Sequence, residues 1–346
     1  MSWSDALTLP DATKVALAGT MVVGTSLRVP KDGLAFHREW RRAMDEWMNE
    51  RVCAVIVAYN RRALLAACLA ALQTQTRPPD EVLVVDNAST DGTRAMVRGE
   101  FPQVVVLALV INLGGAGGFH HGMKWAYQQG FDWTWVMDDD ARPAPDCLEK
   151  LLAHRRSNAV LVPLQQDSSG RLYGISAWRG RHVEVTMEVI GRQGPVGGDF
   201  LFAFVGPLIA REIVARTGLP NKDFFIWFDD IEYALRIKNR AHAEIIVVPD
   251  ARLFHDHYGI AREVRFLGKR SIRGQQAAWK TYYGARNYLY TLTRSRRKPQ
   301  EILLFFLLQF RLLLLDVAYE SDRWERVRLR LLGMRDGILG RLGKRV

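Results

Sequence analysis

Four apolar runs in the first half of the chain each end at polar side chains, and this pattern restricts the possible folds more than any other feature. The runs are Val52–Ala58, Glu81–Asp86, Val104–Ile111 and Trp133–Asp138. Continuous apolar runs of this length are typical of strands buried on both faces, and helix-like segments separate them. Strands and helices in alternation predict a parallel sheet covered on both faces, so we assign the chain to the α/β class. In such sheets ligands bind beyond the carboxyl ends of the strands, where the polar side chains stand.

The length and composition are those of a globular protein with an ample core. The chain of 346 residues is 48% hydrophobic and 25% charged, and it is long enough for one large domain or two. Its three cysteines are widely spaced, which favours a reducing compartment over a disulfide framework. Residues 1–50 lack a basic segment followed by an apolar core, so we expect no signal peptide and treat them as an N-terminal extension.

The fourth apolar run leads into three consecutive carboxylates, Asp138, Asp139 and Asp140, and prolines that follow at 143 and 145 prevent regular structure from continuing. Neighbouring carboxylates repel one another, so three of them at a strand end usually have a cation. Side chains alternate along a strand, which puts Asp138 and Asp140 on one side. Hard oxygen ligands of this kind suit Mg²⁺ or Mn²⁺, often shared with the phosphates of a substrate. The alternative interpretation is a solvated acidic turn.

Four motifs in the same order along the chain resemble glycosyltransferase family 2. They are Val57-Ala-Tyr-Asn-Arg61, Val85-Asp-Asn-Ala-Ser-Thr-Asp-Gly92, the Asp138–Asp140 triplet and Phe228-Asp-Asp-Ile-Glu232. Each motif is weak by itself, whereas four in the right order are specific. The resemblance covers about residues 52–260. It implies a GT-A fold, which is a Rossmann-like mixed sheet with helices on both faces, for a catalytic domain at residues 51–260.

Two further stretches resemble the bacterial galactofuranosyltransferases of this family, in particular the initiating type. They are Asn112-Leu-Gly-Gly-Ala-Gly-Gly-Phe119 and Met137-Asp-Asp-Asp-Ala-Arg-Pro143. The resemblance implies inverting, metal-dependent transfer of galactofuranose from a UDP-sugar to a polyprenyl-diphosphate-linked rhamnosyl-N-acetylglucosamine, in the synthesis of cell-envelope polysaccharide. Rhamnosyltransferases that use dTDP-rhamnose share these features and are the alternative.

The resemblance also implies which residues bind the donor. Asp86 would accept a hydrogen bond from the uracil imide and Arg61 would pack beside the ring, although a cap of the following turn is the alternative role for Asp86. The glycine run would let the backbone approach the donor sugar and diphosphate closely, and its alternative is an ordinary glycine-rich loop. The complete predicted set of donor-binding residues is Ala58, Arg61, Asp86, Asn112, Gly114, Gly115, Gly117, Gly118, Asp138 and Asp139.

The metal ligands and the catalytic carboxylates are implied in the same way. Mn²⁺ or Mg²⁺ would be held by Asp138, Asp140 and a histidine, which is His255 or its neighbour but one, His257. Among two aspartates at a predicted helix start, Asp230 would be the general base and Asp229 a cap or acceptor ligand. The predicted acceptor-binding residues are Trp227, Phe228 and Glu232.

The positive charge of the chain is concentrated in its last quarter. Residues 262–346 hold 20 Lys and Arg against 7 Asp and Glu, whereas residues 1–261 hold 28 against 30. Within this basic region, Glu301–Tyr319 is predicted to be a very apolar helix with one narrow polar stripe formed by Gln309, Asp316 and Glu320. Such a helix would lie in a membrane interface, and a buried core helix is the alternative.

These features predict a C-terminal helical, basic region at 261–346 that associates with an anionic membrane surface. The enzyme would then be a peripheral protein at the cytoplasmic face of the cell membrane. A nucleotide- or nucleic-acid-binding module would use the basic charge but leave the aspartates unexplained, so we expect no nucleic-acid partner. An oxidoreductase on a Rossmann sheet would need a G-x-G-x-x-G fingerprint after the first strand, and the chain has none there. The sequence leaves a homo-oligomer open.

Overall fold

The computed structural model describes residues 50–167, 175–178, 182–185, 196–198, 200–256, 261–266, 269–274, 276–294 and 299–346. Residues 51–346 form one compact unit. The predicted N-terminal extension lies outside the described residues except for Glu50, and so does His257. The division between a catalytic domain and a C-terminal region at residue 260 stays a prediction.

The described residues contain thirteen strands. In chain order they are β1 (Val52–Ala58), β2 (Glu81–Asp86), β3 (Val105–Ala108), β4 (Trp133–Asp138), β5 (Arg142–Pro143), β6 (Ala159–Gln166), β7 (Ile175–Trp178), β8 (His182–Val185), β9 (Val196–Gly198), β10 (Leu208–Ala210), β11 (Glu244–Phe254), β12 (Ala261–Phe266) and β13 (Lys269–Gly274). Nine of them form one mixed sheet in the order β3-β2-β1-β4-β10-β6-β11-β5, with β9 added beside β11. The remaining four form two separate hairpins, β7 with β8 and β12 with β13.

The helices connect these strands and then follow them at the end of the chain. A 3₁₀ turn at Lys222–Phe224 and a π-helical turn at Ile237–Ala241 flank the sixth helix. In chain order the helices are α1 (Arg62–Gln73), α2 (Thr93–Glu100), α3 (Gly114–Gln128), α4 (Cys147–Ala153), α5 (Arg211–Thr217), α6 (Asp229–Arg236), α7 (Ala278–Arg294), α8 (Pro299–Tyr319) and α9 (Arg323–Leu339).

The parallel half of the sheet, formed by β1 to β4, confirms the predicted α/β architecture. All seven residues of β1 are buried, because β1 lies between β2 and β4. The register places Ala58 opposite Asp86 and Val57 opposite Asp138, so three strands end at one edge of the sheet. Strand β10 then pairs antiparallel with both β4 and β6, which makes the sheet mixed.

The third strand is shorter than predicted. The apolar run suggested Val104–Ile111, but β3 ends at Ala108, and Val110 and Ile111 are 96% and 64% exposed. Strand β3 lies at the edge of the sheet and pairs with β2 alone, so its last residues leave the sheet.

The three C-terminal helices pack against each other and against the core of the sheet. The Tyr282 hydroxyl on α7 donates to the Asp336 carboxylate on α9 at 2.7 Å. Phe305 of α8 is 1% exposed and meets Tyr288 of α7 with their ring centroids 5.1 Å apart. Tyr288 and Phe305 belong to the same buried apolar cluster as the strands.

The polar stripe of α8 faces the protein interior, which differs from the orientation expected for a helix in a membrane interface. Gln309 and Asp316 are 4% and 1% exposed, and both accept hydrogen bonds from Arg330 of α9. The stripe therefore faces the protein, whereas the interfacial interpretation required it to face water. The physical reason is the internal partner: a buried guanidinium needs acceptors, and Asp316 supplies a carboxylate at 2.6 Å.

Candidate active site

A cleft of about 890 Å³ opens where β1, β2 and β4 end. Its walls come from distant parts of the chain, and they combine carboxylates with aromatic rings and a few cations. The predicted site residues that line it are Arg61, Asn112, Gly114, Gly115, Asp138, Asp139, Trp227, Phe228, Asp229 and Asp230.

Asp138, Asp140 and His255 form a group that fits a divalent metal ion. One ligand atom from each residue can be chosen so that all three lie within 4.8 Å of one another. Asp138 is the last residue of β4, and His255 directly follows β11. A backbone hydrogen bond of 2.9 Å from His255 N–H to the Gln166 carbonyl fixes the position of this residue beside β6. Two carboxylates and one imidazole are a donor set that suits Mn²⁺.

Arg61 forms ion pairs with two of the three consecutive aspartates. Its guanidinium Nη1 is 2.7 Å from Asp140 Oδ2 and 3.3 Å from Asp139 Oδ1. The other oxygen of Asp140 is 3.1 Å from His255 Nε2. The structure therefore brings Arg61 to the carboxylates, and its predicted packing beside the uracil ring stays a prediction.

The electrostatics of the cluster show an excess of negative charge. Burial, together with the charges of Asp140, Asp139 and Asp229, raises the pKa of Asp138 well above its ordinary value. Burial also raises the pKa of Asp139 to about 6, although Arg61 opposes this change. Burial acts on Asp140 in the same direction, but a hydrogen bond from His255 and the charges of His255 and Arg61 lower its pKa overall. A bound divalent cation would compensate the charge of Asp138, which the charge of Arg61 offsets only in part.

Two predicted uridine ligands lie behind the cleft wall. Ala58 and Asp86 are both fully buried. The Asp86 carboxylate accepts hydrogen bonds from the Arg94 guanidinium at 2.7 and 2.9 Å and from Ser89 N–H at 3.0 Å. Asp86 thus holds the turn after β2, which is its alternative role. Its predicted contact with the uracil stays a prediction.

Asn87 is a residue of the cleft that the sequence reasoning missed. Its side chain donates to the Gly114 carbonyl at 2.9 Å and accepts from Leu113 N–H at 2.9 Å. Asn112, which was predicted, accepts from Gly114 N–H at 2.7 Å. Both asparagines therefore hold the start of α3 at the cleft. The signal for Asn87 was its place directly after a strand that ends in Asp86.

The glycine run forms the first turns of α3, so it is not the ordinary glycine-rich loop that was its alternative. Gly114 has a φ of +73°, and a Cβ there would lie 1.9 Å from the Phe225 carbonyl oxygen. A Cβ on Gly118 would lie 2.4 Å from the Val57 side chain of β1. Gly114 and Gly115 line the cleft, whereas Gly117 and Gly118 face Leu113 and Val57. The close packing of α3 on the sheet thus outweighs the poor helix propensity of glycine.

Asp229 and Asp230 enter the cleft at the first turn of α6. Asp230 Oδ1 accepts from the N–H of Ile231 at 2.6 Å. Burial raises the pKa of both carboxyl groups, and for Asp229 the charge of Asp230 adds to this effect. A carboxylate with a raised pKa is a better proton acceptor, as a general base requires.

Glu232, predicted to bind the acceptor, does not reach the cleft. Its two oxygens each accept from the Arg236 guanidinium at 2.9 Å. Arg236 also donates to the carbonyls of Thr217 and Leu219. The spacing of four residues on one helix favours this ion pair, which holds Glu232 against α6.

The residues before α6 form an aromatic wall with an unusual backbone. Phe225, Trp227 and Phe228 have φ values of +67°, +66° and +67°. Bulky side chains rarely adopt this left-handed region, and each such residue costs about 1–3 kcal/mol. Strained residues of this kind persist only where their surroundings hold them, and they are concentrated at functional sites.

The C-terminal region, which the sequence predicted to associate with a membrane, also contributes to the cleft beside these aromatic residues. Trp279, Lys280 and Gly284 of α7 line the cleft, and so does Lys344. The Lys280 ammonium is 5.8 Å from the Trp227 ring centroid and 5.7 Å from that of Trp279. The alternation of basic and aromatic residues in this region was the available signal.

Comparison with known proteins agrees with this geometry. The profile of the family described as Glycosyl transferase family 2 matches residues 53–187. Galactofuranosyltransferase GlfT1 of Mycobacterium tuberculosis H37Rv is 32% identical over 303 residues, which is 84% of this chain and 97% of the relative. The same enzyme of Mycolicibacterium smegmatis is 35% identical over 199 residues, 55% of this chain and 66% of that protein, so this match spans just under two thirds of the relative.

A second type of relative and a solved structure widen the comparison. N-acetylglucosaminyl-diphospho-decaprenol L-rhamnosyltransferase of M. tuberculosis H37Rv is 26% identical over 248 residues, 60% of this chain and 76% of the relative. The crystal structure of GalNAc-T7 with UDP, GalNAc and Mn²⁺ superposes with a TM-score of 0.53 at 16% identity, covering 84% of this chain and 56% of that one. This likeness confirms the predicted GT-A fold. By its sequence, the chain belongs to glycosyltransferase family 2.

Proposed function

We propose that the protein transfers galactofuranose, with inversion, from UDP-galactofuranose to a polyprenyl-diphosphate-linked glycan. The observation that carries the proposal is that Asp138, a member of the Asp138–Asp140–His255 group, lines the same cleft as the Asp229–Asp230 pair. The first suits a metal bound to a diphosphate, and the second suits a base that activates an acceptor hydroxyl. The choice of donor is supported by the two GlfT1 relatives.

The chemistry is a single displacement at the anomeric carbon. The acceptor hydroxyl oxygen attacks this carbon, the bond to the UDP oxygen breaks, and its electron pair leaves with the diphosphate. Asp230 takes the proton of the hydroxyl, and one displacement inverts the configuration. Asp138, Asp140 and His255 would hold Mn²⁺ or Mg²⁺, which when bound neutralises the charge that develops on the diphosphate.

The side chains of the cleft orient the two substrates. Trp227 and Trp279 present apolar faces on which a sugar of the acceptor can stack. Lys280 and Lys344 add positive charge to the same cleft and suit an anionic substrate. Partial burial of Asp230 at the cleft keeps the pKa of this base raised, and Asp229 beside it is buried.

Transfer of rhamnose from dTDP-rhamnose is the second candidate, and the rhamnosyltransferase relative favours it. Incubation with UDP- and dTDP-sugars, with and without Mn²⁺, separates the two. We expect UDP-galactofuranose to stabilise the protein against unfolding, or to be hydrolysed by it, only when Mn²⁺ is present. We expect neither effect with dTDP-rhamnose. The reverse result would contradict the proposed donor.

The surface of α8 supports a peripheral membrane position. This helix is long and apolar enough to cross a membrane by length and composition, with a mean hydropathy of 2.0. Its polar residues Gln309 and Asp316, however, bind Arg330 inside the protein and fix the apolar side outward. We therefore propose that this side lies in the bilayer interface. The apolar residues of α8 that are at least 38% exposed are Leu303, Leu304, Phe306, Leu307, Leu308, Phe310 and Leu314.

The surroundings of this apolar side fit an anionic lipid surface at the cytoplasmic face. Trp324, in the first turn of α9, is 72% exposed, and interfacial tryptophans are common anchors. Arg323 and Arg328 of α9 are exposed as well. Other cations of the region, Arg286 and Arg330, are buried and cannot reach the phosphates of a lipid or a nucleic acid. The exposed apolar side chains of α8 suit a bilayer and not a nucleic acid, so a membrane fits this region better.

Polar substitutions on α8 test this position. The double variant Leu307→Asp, Phe310→Asp is expected to bind vesicles of anionic lipid at least about tenfold more weakly, because two exposed apolar side chains no longer enter the bilayer. Sedimentation with vesicles measures this, and hydrolysis of UDP-sugar should not change. The control is Val110→Asp, at an apolar residue that is 96% exposed beside β3. Undiminished vesicle binding would contradict the proposal, and altered self-association without lipid would indicate a second copy as the partner.

A further inference from the structure

Helix α7 carries two adjacent, fully buried polar residues that hold the loop before α6. Arg286 and Asn287 are both 0% exposed. The amide nitrogen of Asn287 donates to the carbonyls of Phe224, Ile226 and Trp227 at 3.1, 3.0 and 2.7 Å. One side chain therefore binds three of four consecutive carbonyls in the loop.

Arg286 holds both the same loop and Asn287. Its Nη2 donates to the carbonyls of Phe224 at 2.7 Å and Asp223 at 3.2 Å, and its Nη1 donates to Gly343 at 2.6 Å. Its Nε donates to Asn287 Oδ1 at 2.8 Å, which turns the amide nitrogen toward the loop. These hydrogen bonds join a buried cation to carbonyl oxygens, an arrangement that is costly unless the acceptors are well placed.

The carbonyls that α7 binds belong to the strained segment. Phe225, Trp227 and Phe228 all have positive φ values, and Asp229 follows directly. Without partners the buried carbonyls would favour another backbone conformation, because unsatisfied polar groups are unfavourable in a protein interior. The hydrogen bonds of Asn287 therefore stabilise the backbone of the segment in which the positive φ values occur.

The same helix also shapes the aromatic side chains of this segment. Tyr288 stacks on Phe228 with ring centroids 4.5 Å apart, and Tyr283 contacts Phe225 at 5.0 Å. Gly284 leaves room for the Trp227 indole, because a Cβ at this position would lie 3.1 Å from the ring. One face of α7 thus contacts every strained aromatic residue of the loop.

We propose that Asn287, oriented by Arg286, is a positioning residue for the transfer reaction. It fixes the Trp227 backbone so that the indole forms the acceptor wall and α6 presents Asp230 to the acceptor hydroxyl. Asn287 acts through the loop and does not itself contact the substrates. The proposal rests on the proposed function for the role of Asp230, whereas the fixing of the loop can be measured without any substrate.

The test compares Asn287→Asp with Thr291→Val in the full chain. Asp keeps the shape of Asn and still accepts from Arg286, but it has no N–H groups for the three carbonyls. Thr291 is 2% exposed and donates to the Asn287 carbonyl at 2.8 Å, so its variant also loses a buried hydrogen bond of α7 but none to the loop. We expect Asn287→Asp to lower kcat by about 10²-fold, which is the effect of displacing a catalytic group, here Asp230, by about 1 Å. UDP affinity should stay near that of the wild type, and Thr291→Val should keep its kcat.

Amide hydrogen exchange of residues 223–230 gives a second readout that needs no activity. We expect faster exchange in Asn287→Asp than in Thr291→Val at equal global stability. If exchange is equal in both, or if Asn287→Asp keeps its kcat, the proposal is wrong. Absence of transfer by the wild type with faster exchange in Asn287→Asp would contradict the proposed function but leave the fixing of the loop intact.

A third variant covers the case in which Asn287→Asp does not fold. Gly284→Ala places a methyl group against the Trp227 ring, so it displaces the indole without removing a hydrogen bond. It should raise the KM for the acceptor several-fold while leaving UDP affinity unchanged. An unchanged acceptor KM would show that α7 does not set the acceptor wall.

Discussion

Asp230→Asn is expected to lower turnover by about 10²–10⁴-fold, which is the usual effect of removing a general base. The amide keeps the size of the carboxylate but cannot accept the proton of the acceptor hydroxyl. The affinity for UDP-sugar should stay near that of the wild type, because the Asp138–Asp140–His255 group stands at the ends of β4 and β11, whereas Asp230 belongs to α6. Single-turnover kinetics and calorimetric titration with UDP-sugar measure the two quantities.

Asp229→Asn is the matched control. Asp229 is 6% exposed and begins α6, so its carboxylate contributes to the helix start as well as to the cleft. We expect a smaller loss of turnover from this variant than from Asp230→Asn. The reverse order would show that Asp229 is the base, and two active variants would show that the base lies elsewhere.

The pH dependence of the wild type follows from the raised pKa of Asp230. A general base works only when it is ionised, so turnover should fall as the pH decreases through the pKa of this group. Burial raises that pKa, and turnover should therefore decline at a higher pH than an exposed aspartate would give. A pH–rate profile measures this directly. A profile that stays flat down to the ordinary pKa of aspartate would contradict the assignment.

The sequence predicted the carboxylates at the strand ends better than the contribution of α7 to the cleft. Asp138 and Asp140 stand at the end of a recognisable buried strand, and parallel strands all end at the same edge of their sheet. The position of these carboxylates therefore follows from a local pattern. The position of His255 close to Asp138 and Asp140 likewise follows from its place directly after β11.

The part of the cleft that α7 lines depends on contacts between distant parts of the chain. Lys280 contacts the Trp227 ring and Trp279 contacts the Phe225 ring across about fifty residues, and no local periodicity predicts such contacts. The polar stripe of α8 was similarly visible as a pattern, but a pattern does not say which side of a helix faces the protein. The internal guanidinium of Arg330 decides that question, and it lies on another helix.

Asp140→Ala is expected to abolish the metal dependence of UDP binding. The wild type should bind UDP more tightly with Mn²⁺ than with a chelator, because the metal joins the carboxylates to the diphosphate. Asp140 is one of three residues whose ligand atoms lie within 4.8 Å of one another, so its loss leaves one carboxylate and one imidazole. Calorimetric titration with UDP, with and without Mn²⁺, should give nearly the same affinity for the variant in both conditions.

Asp256→Asn is the control for this experiment, because Asp256 follows His255 directly but pairs with Arg142 at 2.8 Å. It removes one nearby negative charge and leaves the ligand group intact, so UDP binding should still depend on Mn²⁺. His255→Gln should fall between the two variants, since both carboxylates remain and only the nitrogen ligand is lost. If Asp140→Ala binds UDP as tightly as the wild type in the presence of Mn²⁺, the metal lies elsewhere. Loss of metal dependence in Asp256→Asn as well would instead indicate a general effect of negative charge.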